Sequence, residues 1–170
     1  MKRRATILIA LLVLALCTTG AASAGDGSWG PWEPTYQGPI TAPAGTVCTF
    51  AVSAEPVLQH MLLRYHYDDT GAIDGYQVTG PLVARVTNVE SGASVERNLA
   101  SFGTVMLNAD GSYDATVEGN FLVFFTTGES PSNELLLLSG RTVLHGSATG
   151  VKTLVAESGR SEDLCATLAG

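Results

Sequence analysis

Apolar and polar residues alternate along most of the chain after Gly45, which is the pattern of β-strands with one buried face. Between 112 and 118, for example, Tyr113, Ala115 and Val117 alternate with polar residues. The pattern predicts strands at 46–53, 57–67, 76–89, 94–100, 103–108, 112–118, 120–126, 134–146 and 151–157. Turn-forming residues separate many of them. Short strands at this spacing favour an all-β antiparallel meander that closes into a barrel, with a β-sandwich as the alternative.

Two segments depart from this alternation. Residues 121–125 and 135–138 contain nine large apolar residues without interruption, so both faces of these strands require a cover. We expect that cover to come from the N-terminal leader or from the C-terminal segment. An apolar ligand or partner is the alternative.

The C-terminal residues are typical of one short helix. Ser161 is a suitable N-cap, and the acidic residues after it suit a first helical turn. Leu164, Cys165 and Leu168 then share one side of the helix. We therefore predict that this helix packs against the β domain.

The N-terminus has the features of an export signal. Basic residues at 2–4 precede an apolar run at 7–16, which is shorter than the roughly 20 residues that span a bilayer. Small residues follow, and we predict cleavage between Ala24 and Gly25. The chain then divides into a signal peptide (1–24), a Gly- and Pro-rich leader (25–45) and a single β domain (46–170), secreted and without a transmembrane segment.

Cleavage leaves two cysteines, because Cys17 belongs to the predicted signal peptide. An oxidising compartment favours disulfides, so we predict a Cys48–Cys165 bond. Neither cysteine has the neighbours of a redox thiol, such as a Cys-x-x-Cys partner. The bond is therefore expected to be structural.

Charge argues against one class of partner. After cleavage, six Lys and Arg stand against 16 Asp and Glu, a net charge of −10. The six cations are scattered, whereas phosphate binding draws on clustered Lys and Arg. We expect no nucleic-acid partner.

Both tryptophans lie in the leader, where Trp29 and Trp32 flank a Gly-Pro pair. They are suited to stacking on a sugar ring or a partner surface. The simpler interpretation is that they pin the leader to the outside of the β domain.

The densest group of functional side chains is RYHYDD at 64–69. His66 is the candidate general base, with Asp68 or Asp69 to orient it and Arg64 to stabilise negative charge. Strand alternation followed by a turn explains the same residues more simply.

Other patterns carry less chemistry. Ser130 lies in GESPS, which lacks the final glycine of a nucleophile elbow. His60, His66 and His145 lack the spacing of a zinc site, and the stretch 108–112 lacks the late glutamate of a calcium loop. We predict no catalytic residues, no metal and no cofactor.

The order of five segments resembles a group of small secreted actinobacterial proteins without an assigned function. The segments are TVCTFAV, GPLVARVTNVESGASVERN, LNADGSYDATVEGNFLVFF, SGRTVLHG and GRSEDLCATLA. The resemblance covers about residues 46–169 and implies a domain extent and an export route. It implies no activity.

These observations favour a secreted, non-enzymatic binding or surface-interaction module whose partner is an unknown small apolar ligand or an extracellular partner. The alternative is a cofactor-free hydrolase or isomerase that uses His66 with Asp68 or Asp69. An enzyme is expected to gather those side chains in a concave pocket, whereas a binding module leaves them on a solvated edge.

Overall fold

A computed structural model describes residues 27–170, so the predicted cleavage site at Ala24 and Gly25 lies outside the described residues. Within them, twelve strands precede one short helix, α1 (Leu164–Leu168). The strands are β1 (Ser28–Trp29), β2 (Glu33–Thr35), β3 (Ile40–Ala42), β4 (Val52–Gln59), β5 (Met61–Tyr67), β6 (Ile73–Gly80), β7 (Leu82–Asn88), β8 (Ser94–Asn98), β9 (Ser101–Leu107), β10 (Tyr113–Phe125), β11 (Glu134–Gly146) and β12 (Lys152–Asp163).

The strands form two sheets. Sheet A has the order β1-β5-β6-β9-β10-β11-β12, with β2 also paired to β5, and sheet B has the order β3-β4-β7-β8. Pairings between these strands are antiparallel, which confirms the all-β antiparallel prediction. Over residues 27–170, no pairing joins the two ends of either sheet. Closure into a barrel is therefore not shown, and a sandwich of two sheets is consistent with this topology.

The long strands of sheet A bend, and the bend follows a row of glycines at neighbouring register positions. Gly119 pairs with Gly140 and Gly140 with Gly159, while Ser101 pairs with both Gly80 and Gly119. These four glycines, the glycine row, have φ values between +104° and +129°. A Cβ on any of them would collide with a facing backbone carbonyl. Only glycine allows the strands to approach this closely while they bend.

Strand boundaries differ from the prediction where the chain bends or turns. The stretch 46–51 is a turn region rather than a strand, although Val47, Cys48 and Phe50 are buried there. Conversely, the predicted strands 112–118 and 120–126 form the single strand β10, because Gly119 bends the chain without interrupting its pairing.

The two apolar runs are direct neighbours and separate two cores. Leu122 pairs with Leu137, and Val123 with Leu136. Leu135 and Leu137 belong to a cluster with the turn region 47–50, the inner residues of sheet B and α1. Leu136 and Leu138 belong to a second cluster within sheet A. Residues 135–138 are buried on both faces, and α1 contributes to one of the covers. Phe121, Leu122 and Phe124 are only partly buried.

The disulfide Cys48–Cys165 is confirmed, with a Cα–Cα distance of 5.4 Å. It joins α1 to the turn region at 46–51, and the helix buries its own residues Leu164 and Leu168. The predicted N-cap was wrong: Asp163, not Ser161, accepts hydrogen bonds from the amides of Cys165 and Ala166. Ser161 instead belongs to β12, where it pairs with Leu138.

Candidate binding cavity

A cavity of about 570 Å³ lies between the two sheets. Sheet B contributes Ala54 and Ala84 to its wall, and sheet A contributes Val78, Val105 and Ala115. Each of the last three has a second wall residue two positions before it, namely Tyr76, Gly103 and Tyr113, because side chains two residues apart point to the same face of a sheet. The cavity is therefore built by the same alternation that builds the core.

Small residues keep this space open. Gly103 lies in the cavity wall, and a Cβ placed on it would meet nothing closer than Val117 Cγ2 at 3.8 Å. Ala54, Ala84 and Ala115 are likewise small at inward positions where core strands usually carry larger side chains. The interior is thus filled at its periphery by the two apolar clusters but not at its centre.

Few polar groups reach the cavity. Tyr76 and Tyr113 lie in its wall, and Tyr76 pairs across the strands with Tyr65. Burial, together with the neighbouring phenols of Tyr113 and Tyr65, raises the pKa of Tyr76 above its ordinary value. Tyr76 is therefore protonated at neutral pH.

The one charged group in the wall already has a partner. Lys152 Nζ lies 2.7 Å from Oε1 of Glu129. Burial raises the pKa of Glu129, but the hydrogen bonds from Lys152 and from the Thr126 amide outweigh it and hold the pKa below its ordinary value. The charge of Lys152 is thus compensated within the protein.

The leader forms one rim of the cavity. Gln37, Gly38 and Ile40 are exposed and belong to its wall. The Gln37 amide donates to Gln59 Oε1 at 2.8 Å, and Gln59 Nε2 donates to the Gln37 carbonyl at 3.1 Å. This reciprocal pair fixes the rim to the end of β4.

The tryptophans attach the leader to the outer face of sheet A. The guanidinium carbon of Arg64 lies 4.9 Å from the Trp29 ring centroid and 4.5 Å from that of Trp32. Trp32 also makes an edge contact with Phe102 at 6.4 Å. The pinning role expected for the two indoles is therefore observed.

The residues of RYHYDD do not form the site considered for an enzyme. His66 Nδ1 lies 2.5 Å from Asp74 Oδ1, so its carboxylate partner is Asp74 rather than Asp68 or Asp69. Asp68 Oδ1 accepts from the Thr70 amide and hydroxyl and from the Ala72 amide, which closes the β5–β6 turn. These hydrogen bonds lower the pKa of Asp68, and the one from the Thr70 hydroxyl has the largest effect.

The other imidazole nitrogen of His66 faces the leader. A Cβ on Gly27 would lie 2.9 Å from Nε2 of His66, and the ring centroids of Trp29 and His66 are 4.7 Å apart. The leader therefore covers the nitrogen that a general base would present to a substrate. The Asp69 side chain is exposed at the turn.

The remaining candidates have structural contacts. Ser130 bridges to Thr153 through its backbone, and Asp110 accepts from the amide and hydroxyl of Ser112 within a tight turn. His145 Nδ1 lies 2.9 Å from Asp114 Oδ1. Across residues 27–170, no group of three His, Cys, Asp or Glu side chains has the arrangement of a metal site.

Sequence reasoning missed the cavity because a cavity is defined by residues distant along the chain. A weak signal was present: Gly103 and Ala115 are small, whereas the next inward residues of the same strands, Val105 and Val117, are larger. The tyrosines at 65, 76 and 113 were visible, but nothing local indicated that they meet.

Comparisons with protein-family models, with curated proteins and with solved structures found no match to this chain. In the described part of the chain, no helix has the length and apolar character needed to span a bilayer.

Proposed function

We propose that this protein is a secreted, non-enzymatic binding protein that holds a small apolar molecule in the cavity between its two sheets. The observation that carries the proposal is the cavity of about 570 Å³ with a mostly apolar wall. Ligand pockets usually measure ~300–1000 Å³ and combine an apolar lining with a few polar groups.

The composition of the wall favours an apolar occupant over water. A buried water typically makes about three hydrogen bonds, whereas the side chains of Val78, Val105 and Ala115 are hydrocarbon and offer none. Transfer of apolar surface from water into such a site contributes roughly 25 cal/mol per Å². A hydrophobic small molecule therefore gains most from binding there.

The disulfide and the N-terminal sequence support secretion. Disulfides persist in oxidising compartments, and Cys48–Cys165 joins segments 117 residues apart. The basic and apolar segments before Ala24 supply an export signal. The acidic charge, without a basic cluster, speaks against nucleic acid as the partner.

The enzyme alternative has less support. A cofactor-free hydrolase or isomerase using His66 requires an accessible imidazole nitrogen and an orienting carboxylate. Asp74 supplies the carboxylate, but the leader residue Gly27 occupies the approach to Nε2. Within residues 27–170, His66 contacts Asp74, Trp29 and Gly27, which lie outside the cavity wall.

A fluorescence titration with N-phenylnaphthylamine, a neutral apolar probe, tests the proposal. Ala115→Leu enlarges a side chain in the cavity wall, and we expect it to weaken probe binding at least about tenfold, or ~1.4 kcal/mol. Thr116→Leu is the matched control, because it places the same side chain on the next residue of β10, where residues alternate to the opposite face. We expect the control to bind the probe as the unmodified protein does.

Two results contradict the proposal. One is that the unmodified protein binds no probe. The other is that Ala115→Leu and Thr116→Leu change binding equally, which places the probe outside the cavity. Gly103→Val is a second cavity-filling variant on a different strand. It should also weaken probe binding, which would show that the effect of Ala115→Leu is not confined to its own position.

A further inference from the structure

The two phenols of the cavity wall lie on the same side of sheet A. Tyr76 pairs with Val105, which in turn pairs with Ala115, and Tyr113 precedes Ala115 by two residues on the same face. Val105 and Ala115 also belong to the wall. Tyr76 precedes Gly80 on β6, and Tyr113 precedes Gly119 on β10. Both tyrosines thus lie on the same side of the glycine row.

Backbone packing holds Tyr113 in this position. Its ring occupies the space that a side chain on Gly146 would take, and Tyr113 and Gly146 are paired residues of β10 and β11. The absence of a Cβ at Gly146 lets the ring lie flat against the strand. Tyr113 therefore packs its ring against the backbone of β11 where it joins the cavity wall.

Neither hydroxyl has a partner in the described residues. The side-chain hydrogen bonds there include none from Tyr76 or Tyr113, whereas the side chains of the wall residues Gln37 and Thr79 are bonded. A phenolic hydroxyl that is partly buried usually finds a partner. A donor left without an acceptor when a ligand excludes water costs about 1–3 kcal/mol. A ligand that supplies an acceptor avoids this cost.

Charge selects the kind of acceptor. The phenols donate hydrogen bonds but carry no positive charge, and the only cation of the wall, Lys152, is paired with Glu129. A carboxylate placed beside them has to be desolvated without a compensating charge, which is strongly unfavourable. A neutral carbonyl or ether oxygen carries no such cost.

We propose, on the basis of the binding function above, that the ligand is a neutral amphipathic molecule whose apolar body fills the cavity and whose oxygen acceptor binds the hydroxyls of Tyr76 and Tyr113. The ligand class is therefore a hydrophobic ketone, aldehyde, ester or ether. A hydrocarbon lacks the acceptor, and a fatty acid carries the wrong charge.

Displacement of N-phenylnaphthylamine by compounds of equal chain length tests this class. The compounds are an alkane, a methyl ketone and an unbranched fatty acid at neutral pH. We expect the unmodified protein to prefer the ketone over the other two by about three- to tenfold, the usual net value of one hydrogen bond.

Tyr76→Phe and Tyr113→Phe, singly and together, identify the donors. Phenylalanine keeps each ring, so we expect probe affinity and folding to be retained while the preference for ketone over alkane falls to within about twofold in the double variant. Tyr36→Phe is the control, because Tyr36 is 79% exposed on the leader. It is expected to leave the preference unchanged.

The outcomes separate the two proposals. If the probe binds but the ketone shows no advantage, or keeps its advantage in the double variant, the assigned ligand class is wrong and the binding function stands. Preference for the fatty acid likewise overturns the neutral class. If the probe does not bind at all, both proposals fail.

Discussion

Arg64 and Trp32 form a side-chain contact between the leader and sheet A, with the guanidinium carbon 4.5 Å from the indole centroid. The same guanidinium contacts Trp29 and donates from Nε to Gln77 Oε1 at 2.8 Å. Cation–π contacts contribute about 0.5–2 kcal/mol each, depending on exposure. One side chain thus joins β1, the segment that contains Trp32, and the outer face of sheet A.

We expect Arg64→Ala to loosen the segment around Trp29 and Trp32, because both indoles lose their cationic partner, while β1 and β2 keep their backbone pairing with β5. Chymotrypsin, which cleaves after aromatic residues, should then cut at Trp29 and Trp32 faster than in the unmodified protein. Arg85→Ala is the control, since Arg85 makes an exposed ion pair with Glu96 on sheet B, and such pairs contribute ~0–1 kcal/mol. Equal cleavage rates in the two variants would show that Arg64 does not hold the leader.

Replacing both Cys48 and Cys165 by alanine is expected to lower the free energy of unfolding by up to about 5 kcal/mol. The bond restricts a loop of 117 residues in the unfolded chain, and it also holds α1 over the first apolar cluster. Urea denaturation measures the loss. Mass spectrometry of non-reduced protein should show a chain lighter than the reduced form by two hydrogen atoms, and reactive thiol in that sample contradicts the prediction.

The glycine row predicts an unusual sensitivity to a single methyl group. Gly119 has φ +111°, and a Cβ there would lie 2.6 Å from the Ala100 carbonyl oxygen. Gly119→Ala is therefore expected to destabilise the protein by more than about 2 kcal/mol, from backbone strain and the collision together.

Gly103→Ala is the matched control for that substitution. Gly103 lies outside the left-handed region, and its added methyl would make ordinary contacts at 3.8 Å and 3.9 Å. We expect a change within about 1 kcal/mol, and stabilisation is the favoured direction. Similar losses from the two alanines in thermal unfolding would argue against a bend that depends on glycine.

Acid should weaken the fold through Glu162. Hydrogen bonds from Arg97, at 2.7 and 2.9 Å, hold the pKa of Glu162 below its ordinary 4.5, and the Thr167 hydroxyl adds to this effect while burial opposes it. Because the folded pKa is the lower one, the contribution is present above about pH 4.5 and is lost as the pH falls through the folded value.

Glu162→Gln should accordingly flatten the fall in unfolding free energy between neutral pH and about pH 3, measured by urea titration at each pH. Glu118→Gln provides the comparison, since Glu118 is exposed on β10. A pH profile in Glu162→Gln as steep as that of Glu118→Gln would assign the acid sensitivity to other carboxyl groups.

Removal of residues 25–45 is expected to expose apolar surface and to raise the fluorescence of anilinonaphthalene sulfonate. The deletion removes Ala42 from the first cluster, Ile40 from the cavity rim, and the strands that cover the edges of β4 and β5. The full-length protein and the deletion variant should both carry Ala115→Leu, so that dye bound in the cavity does not mask the effect. Unchanged fluorescence on deletion would mean that the leader covers no apolar surface.

The sequence by itself determined the strand content, the antiparallel class and the disulfide. Alternation at Tyr113, Ala115 and Val117 is a local property of the chain, and a strand with one buried face produces it wherever the strand lies. The unbroken runs at 121–125 and 135–138 required two covered faces for the same reason. The predicted cleavage left two cysteines, and so one intramolecular pairing.

The tertiary structure alone decided where the long strands bend, which carboxylate meets His66, and where space remains. Gly80, Gly119, Gly140 and Gly159 are scattered along the chain, and only strand register places them in one row. Asp74 reaches His66 because β6 returns alongside β5. Asp68 and Asp69 are closer to His66 along the chain, and the sequence therefore favoured them. The cavity depends on small side chains from both sheets facing one another, and packing between distant segments has no local signature in a single sequence.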